Sequence, residues 1–199
     1  MFHRVTLRAT DRERSERFYD TVLTTLGIER GGWGDFAVVQ ADAERPATRG
    51  LHIGFGAPSR AEVDEFWRTG TAAGYRDDGA PGPRPEYGDD YYGGFLLDPD
   101  GNSAEAVHHD GVRRDGLVDH LWIRVADLAA SKRFYETIAP RAGFRLRTDT
   151  PERAGFRGET GSFSVLPGTP TEHLEMAFVA DEPAELVDPD GNVVELVAR

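Results

Sequence analysis

The chain has 199 residues, of which 39% are apolar, enough for one substantial hydrophobic core or two small ones. Its net charge of −12 argues against a nucleic-acid ligand, because phosphate binding requires a basic face that displaces counterions. The sequence has no run of about twenty apolar residues, so we expect no membrane span. The absence of cysteine excludes disulfides and thiolate metal sites, and we expect a cytoplasmic protein.

The N-terminal segment predicts a strand followed by a helix. Residues 2–8 alternate as in a strand, and Thr10 with Glu13 forms a capping box that starts the helix. Apolar side chains at helical spacing follow, and Gly27 is expected to end the helix. Residues 36–40 predict a further short strand.

A second unit of the same kind begins with the strand Leu51–Phe55. Ser59 and Glu62 form its capping box, and apolar residues at helical spacing follow them. Residues 79–85 are too rich in proline and glycine for a helix or an interior strand. We therefore expect an ordered loop or lid there.

The rest of the chain repeats this order after a polar linker at residues 113–116. Its helix should end near Ala139, because Pro140 lacks a backbone donor. The stretch between His173 and Asp188 is too short for a second helix and a proline-rich loop. Strands are predicted at residues 95–98, 103–107, 117–125, 145–148, 162–166, 173–179, 184–188 and 193–198.

Two sequence signatures, one around the start of a helix and one at a turn before a strand, each occur twice. They are Arg8–Asp11 with Phe18 and Tyr19, which recurs as Arg124–Asp127 with Phe134 and Tyr135, and Asp98–Asn102 with Glu105, which recurs as Asp188–Asn192 with Glu195. Each copy also carries a histidine between its signatures, His52 or His173. Repeated histidine and glutamate on strands indicate a metal site inside an internal duplication.

This order of elements, with Phe-Tyr in the helix and Asp-Pro-Asp-Gly-Asn before a strand glutamate, resembles the vicinal oxygen chelate superfamily. That superfamily includes glyoxalases, extradiol dioxygenases and bleomycin-resistance proteins. The resemblance implies an α+β fold of tandem paired βαβββ modules that form cup-shaped mixed sheets. It divides the chain into a full domain at 1–112, the linker at 113–116, and a shortened domain at 117–199 that lacks the second helix. The other half, or the second subunit of a homodimer, would cover the sheet thus exposed.

The resemblance also implies metal ligands, two histidines and a glutamate on strands. These positions fall on His120, His173 and Glu195 in the second half, which is the set we favour. The first half offers the weaker set His52 and Glu105, because arginine replaces its first histidine. Two histidines and one carboxylate suit Fe, Mn, Zn or Ni and leave coordination positions open for a substrate. The alternative is that no metal binds and that these residues form hydrogen bonds in a polar cup.

Four further side chains are expected at a bound substrate. Arg4 could hold an anionic ligand or pair with Glu105. Tyr91 and Tyr92 adjoin the proline-rich loop, and Trp122 shares the strand parity of His120. No residue is assigned as catalytic from the sequence.

The resemblance implies a metal-dependent enzyme, of lyase, isomerase or dioxygenase type, that acts on a small oxygenated substrate through two vicinal oxygens. The alternatives are a non-catalytic small-molecule-binding protein of the resistance type, and a short second half that serves as scaffold and dimer surface. Extradiol dioxygenases carry an extra tyrosine and histidine before the Asp-Pro turn, where this chain has Phe95 and Glu185. Glyoxalases use a second acidic ligand, which residues 36–40 and 162–166 do not supply. Both specific activities are therefore disfavoured.

Overall fold

The computed structural model describes residues 1–113 and 115–198; Arg114, inside the predicted linker, and Arg199 lie outside the described residues. The helices are α1 (Arg12–Leu23), α2 (Arg60–Ala72) and α3 (Leu128–Ala142), with a turn of 3₁₀ helix at Thr24–Leu26. The strands are β1 (Phe2–Ala9), β2 (Phe36–Gln40), β3 (His52–Gly56), β4 (Arg76–Pro83), β5 (Tyr92–Leu97), β6 (Ser103–His108), β7 (Val118–Val125), β8 (Arg145–Thr150), β9 (Arg153–Arg157), β10 (Ser162–Pro167), β11 (Glu175–Ala180), β12 (Ala184–Val187) and β13 (Val193–Ala198).

The strands form two mixed sheets, so the α+β class expected from the sequence is confirmed. The order in the five-stranded sheet is β12-β13-β11-β1-β2, and the order in the eight-stranded sheet is β4-β5-β6-β3-β7-β10-β9-β8. Within the described ranges, no helix has the length and apolar character needed to cross a membrane.

Each sheet takes strands from both sides of residues 113–116. In the five-stranded sheet β1 pairs antiparallel with β11, and in the eight-stranded sheet β3 pairs antiparallel with β7. Strands β1 and β2 therefore share a sheet with β11–β13, and strands β3–β6 share a sheet with β7–β10. This arrangement places the histidine-bearing strands β3 and β7 side by side.

The predicted linker is anchored to the core. Arg113 forms an ion pair with Asp35, and both side chains are buried. The other oxygen of Asp35 accepts hydrogen bonds from the backbone N–H groups of Leu117 and Val118, at 2.9 and 3.1 Å. Because Asp35 comes just before β2 and Val118 begins β7, this buried pair connects the two sheets.

Aromatic side chains fill the space between the sheets and their helices. Phe36 on β2 packs against Phe55 on β3 with 5.3 Å between ring centroids, and Phe163 on β10 packs against Phe178 on β11 at 5.6 Å. Tyr19 of α1 is also fully buried against Phe36. One continuous apolar core therefore includes residues of both sheets.

The repeated Asp-Pro-Asp-Gly-Asn turn is a structural clamp between helix, turn and strand. Asp98 accepts hydrogen bonds from the Tyr19 hydroxyl at 3.1 Å and from the backbone N–H of Asn102 at 2.8 Å. The Asn102 side-chain oxygen accepts from the backbone N–H of Leu51 at 3.1 Å. Leu51 directly precedes β3, so the turn fixes the point at which that strand begins.

Two predicted helix boundaries need correction, and one holds. Ser59 caps α2 as predicted and accepts a hydrogen bond from Ala61 N at 3.1 Å. The cap of α1 is Asp11 and not Thr10, because its carboxylate accepts from Arg14 N. Helix α3 continues past Pro140 to Ala142, which is buried, and ends at Gly143 in the left-handed conformation.

The predicted loop at residues 79–85 is largely strand. Residues Arg76–Pro83 form β4, whose register with β5 shifts twice. Because β4 lies at the edge of its sheet, the prolines remove no hydrogen bond from a second neighbouring strand. Strand β9 was not predicted from the sequence.

The second copy of the turn clamp provides a stability test. Asp188 is buried and accepts from the Tyr135 hydroxyl at 3.0 Å. The substitution Tyr135→Phe should lower the free energy of unfolding by about 1–3 kcal/mol, because it removes a donor from a buried carboxylate. Tyr92→Phe is the matched control: its hydroxyl bonds to the exposed Asp64, and the loss should be under about 0.5 kcal/mol. Urea denaturation measures both, and equal losses would contradict the clamp.

Candidate metal site

Three potential metal ligands meet where β3 lies between β6 and β7. His52 begins β3, Glu105 lies on β6 and His120 lies on β7. Gly54 of β3 is opposite Glu105 on one side and opposite His120 on the other. A Cβ atom at position 54 would overlap the His120 ring. The glycine therefore provides the room that the imidazole occupies.

The three ligand atoms form a small triangle. His52 Nε2 lies 2.9 Å from Glu105 Oε2, His120 Nε2 lies 3.1 Å from the same oxygen, and the two Nε2 atoms are 3.3 Å apart. Metal bonds of about 2.1 Å that meet at about 90–110° place their donor atoms roughly 3.0–3.4 Å apart. The side chains therefore fit a single divalent ion, held on one face by two nitrogens and one oxygen.

The His120 ring is oriented from behind by a carboxylate. Its Nδ1 lies 3.0 Å from Asp119 Oδ2, and Asp119 also accepts from the backbone N–H of Arg113 and contacts His109 Nε2 at 3.3 Å. With Nδ1 bonded to Asp119, Nε2 is the nitrogen that would bind a metal ion at the centre of the triangle, once the ion has displaced its proton. This arrangement is typical of metal-ligating histidines.

His52 and Glu105 are oriented in a similar way. His52 Nδ1 lies 3.1 Å from Ser103 Oγ, and Ser103 donates its own proton to Asp78 at 2.7 Å. The Tyr91 hydroxyl donates to Glu105 Oε1 at 2.9 Å and leaves Oε2 for the centre. Each potential ligand therefore has a hydrogen-bond partner on the side away from the triangle.

The electrostatics of the site depend on what occupies the centre. Burial alone would lower the pKa of His120, but hydrogen bonds to Asp119 and Glu105 outweigh that effect and raise its pKa to about 10. Burial opposes ionisation of Glu105, but hydrogen bonds from His120 and His52 lower its pKa to about 2. Without a metal, a proton on His120 holds the groups together. A metal must displace that proton, so its affinity should rise with pH.

Two cavities open beside the triangle. The larger, of about 520 Å³, is lined by His52, Glu105, Tyr87, Tyr91, Phe95 and Trp122 among others. The smaller, of about 330 Å³, is lined by His120, Tyr91, Trp122, Arg153 and Ser162 among others. Tyr87 packs on Trp122 with 5.1 Å between ring centroids, and both rings border both cavities. A small molecule can therefore approach the candidate metal position.

Solved structures resemble the chain, some over nearly its whole length and others over about half of it. Glyoxalase I from Zea mays is 17% identical, with a TM-score of 0.66 over 99% of this chain and 92% of that one. A proposed dioxygenase from Bacillus subtilis is 10% identical, with a TM-score of 0.64 over 99% of this chain and 84% of that one. A glyoxalase/bleomycin resistance protein from Albidiferax ferrireducens is 34% identical over 55% of this chain and 99% of that one, with a TM-score of 0.49. No protein-family model and no curated protein sequence matches the chain.

The chain therefore has the fold of the glyoxalase I and dioxygenase structures, which is that of the vicinal oxygen chelate superfamily. In this chain, the eight-stranded sheet brings His52, Glu105 and His120 together. These residues come from both sides of the predicted linker, since β7 follows it and β3 and β6 precede it.

The structure does not bring His120, His173 and Glu195 together. His120 is in the eight-stranded sheet, whereas Glu195 is on β13 of the five-stranded sheet. His173 is exposed and lies just before β11. His173 therefore lies apart from the triangle of potential ligands. His120 instead lies beside His52 and Glu105, the pair that was the less favoured set in the sequence.

The repeat explains why His173 is displaced. The turn clamp bonds to Leu174 N through Asn192, as it bonds to Leu51 N through Asn102. Leu174 therefore corresponds to Leu51, and the counterpart of His52 is Glu175. His173 corresponds to Gly50, and both have positive φ, 57° and 69°. A histidine two residues away from the ligand position was aligned with His52 by residue type alone.

Two of the predicted substrate-binding residues lie at the site and two lie elsewhere. Tyr91 and Trp122 line both cavities. Tyr92 points to the other face of β5, where its hydroxyl donates to Asp64 at 2.8 Å. Arg4 lies on β1 and lines a separate cavity with Glu195, so it does not face Glu105.

Sequence reasoning missed the supporting residues. Asp119 is adjacent to His120 in the sequence, and this neighbouring carboxylate was an available signal. His109 stacks on Tyr91 with 5.5 Å between ring centroids and contacts Asp119, although its place near the linker gave no indication of this. Arg153 also borders the site, on the strand that was not predicted.

The close approach at Gly54 generates a test. Gly54→Ala should displace the His120 ring and weaken Co(II) binding by more than about 100-fold, because a ligand is lost. Gly88→Ala is the control, because its Cβ would make ordinary contacts, 3.4 Å to Asp90 and 3.8 Å to Tyr91. Titration calorimetry measures both affinities, with circular dichroism to verify folding. Unchanged affinity in Gly54→Ala would contradict the site.

Proposed function

We propose that the chain is a metal-dependent enzyme that acts on a small oxygenated substrate through two vicinal oxygens. The observation that supports this most strongly is the triangle of His52 Nε2, His120 Nε2 and Glu105 Oε2. Three protein ligands on one face leave positions on the opposite face for two substrate oxygens. Fe(II), Mn(II), Zn(II) and Ni(II) all suit such a ligand set.

The ion would act as a Lewis acid that stabilises the enolate or alkoxide charge developing on a bound substrate. The chain's own side chains supply binding and orientation. Burial and the neighbouring Glu105 raise the pKa of Tyr91, so its hydroxyl stays protonated and keeps donating to that carboxylate. Tyr87, Phe95 and Trp122 form the apolar wall of the larger cavity. Its volume suits a small molecule.

The aromatic wall also favours a second candidate function, the binding of a small molecule without catalysis. The stacked rings of Tyr87 and Trp122 could hold a planar ligand without any metal. A ligand that raises the melting temperature equally with and without chelator would support this function over the enzyme.

The metal proposal has a direct test with an internal control. Protein purified without chelator should contain about one divalent ion per chain by elemental analysis. His120→Ala should lose it, because one of three protein ligands is removed. His173→Ala should retain it, because that exposed side chain lies outside the triangle.

After dialysis against chelator, reconstitution with Co(II) or Zn(II) should restore about one ion per chain in the wild-type protein and in His173→Ala, but not in His120→Ala. Absence of metal from the purified and the reconstituted wild-type protein would overturn the proposal. Metal loss in His173→Ala with retention in His120→Ala would overturn the assignment of the ligands.

A further inference from the structure

The two halves of the eight-stranded sheet are related by a local twofold axis. The central pair is Ile53 on β3 and Leu121 on β7, so His52 and His120 occupy equivalent positions. Glu105 on β6 lies beside Gly54, and the equivalent residue beside Trp122 on β10 is Ser164. Where symmetry would place a second carboxylate, the chain therefore has a neutral hydroxyl.

A guanidinium lies against this hydroxyl. Ser164 is 2% exposed and accepts a hydrogen bond from Arg153 Nε at 3.0 Å. The guanidinium also lies over the Trp122 ring, 5.0 Å from its centroid. One side of the site therefore has a carboxylate ligand, and the other side has a positive charge held by a serine and an indole.

This guanidinium has no carboxylate partner within residues 1–113 and 115–198. Arg153 is half-buried and forms none of the ion pairs in this part of the chain. Burial lowers its pKa below the usual value, but an arginine remains charged near neutral pH. A half-buried positive charge is costly without a partner, and an anion in the cavity would supply one.

The acidic groups at the same cavity are already engaged. Both oxygens of Asp119 are used, one by Arg113 N and the other by His109 and His120. Asp90 accepts from the backbone N–H of Asp110. These carboxylates do not bond to Arg153, which leaves its charge for a ligand.

The charge of the loaded site favours an anionic substrate. A divalent ion would be balanced by Glu105 and Asp119, the two carboxylates bonded to the histidines. The other charged residues of the cavity that His120 also lines are Asp90 and the exposed Arg157, whose charges are opposite. The half-buried Arg153 therefore remains as an uncompensated positive charge. A neutral chelating pair of oxygens would leave that charge buried and unpaired.

We propose that Arg153 determines specificity for a substrate whose chelating oxygen pair includes a carboxylate, that is, a 2-oxo or 2-hydroxy carboxylate. This inference rests on the proposed metal site. The carboxylate would lie on the Ser164 side, where it meets the guanidinium, and the vicinal carbonyl or hydroxyl oxygen would complete the chelate. A planar guanidinium matches a carboxylate in two parallel hydrogen bonds.

The test compares two probes of nearly equal shape, oxamate and oxamide, on Co(II)-loaded protein. Oxamate has one carboxylate and oxamide has none, so their difference reports charge recognition. Binding is followed by the change in the visible Co(II) spectrum, and cobalt content is measured in every sample. The wild-type protein should bind oxamate at least about tenfold more tightly than oxamide.

The variants assign the preference to a residue. Arg153→Gln should reduce the preference to less than about threefold with the cobalt content unchanged. Arg153→Lys should keep part of it, because the charge remains but the planar fork is lost. Arg147→Gln, an exposed arginine on the neighbouring strand β8, should retain all of it.

Two failures are distinguishable. If the wild-type protein takes up no cobalt, the proposed function and this inference both fall. If cobalt binds but oxamate is not preferred, or the preference survives in Arg153→Gln, only the inference on Arg153 falls. Should Arg153→Gln fail to fold, the wild-type ratio and the Arg153→Lys ratio decide, and equal ratios in these two proteins would overturn the inference.

Discussion

The antiparallel pairing of β3 with β7 is the constraint on which the site depends. It sets His120 opposite Gly54 and brings its Nε2 within 3.3 Å of His52 Nε2. A shift of one residue in this register would turn His120 to the opposite face of the sheet. A side chain at position 54 would take the space of the imidazole. The clamp from Asn102 to Leu51, directly before His52, fixes where β3 begins and so protects the register.

The internal duplication has produced two sheets with different chemistry. At the three positions that correspond to His120, His52 and Glu105, the five-stranded sheet carries Arg4, Glu175 and Glu195, which line its own small cavity. Neither histidine is kept at these positions, and the imidazole that lines this cavity belongs to His3, the residue before Arg4. The turn clamps, in contrast, are retained in both copies, because each holds a helix to a sheet. The two copies therefore share the turn clamp but differ in the side chains that line their cavities.

Local patterns in the sequence predicted the local structure well, and they failed where distant segments meet. The helix cap at Ser59 and most of the strands could be predicted, because capping and alternation involve neighbouring residues. The contact between His52 and His120 could not be predicted, because 68 residues separate them and local spacing does not indicate which strands pair. His173 was misplaced because it was matched to His52 by residue type, although the left-handed backbone shows that it corresponds to Gly50, two residues earlier. Arg153 lies on a strand whose pattern gave no signal.

In the proposed metal site, strands from both sides of the linker hold one ion through His52, Glu105 and His120. Anomalous diffraction at the cobalt edge, from a crystal of Co(II)-loaded protein, tests this arrangement. We expect one strong anomalous peak about 2.1 Å from His52 Nε2, His120 Nε2 and Glu105 Oε2. A peak at His173 or Glu195, or no peak within bonding distance of the three side chains in crystals that contain cobalt, would contradict it.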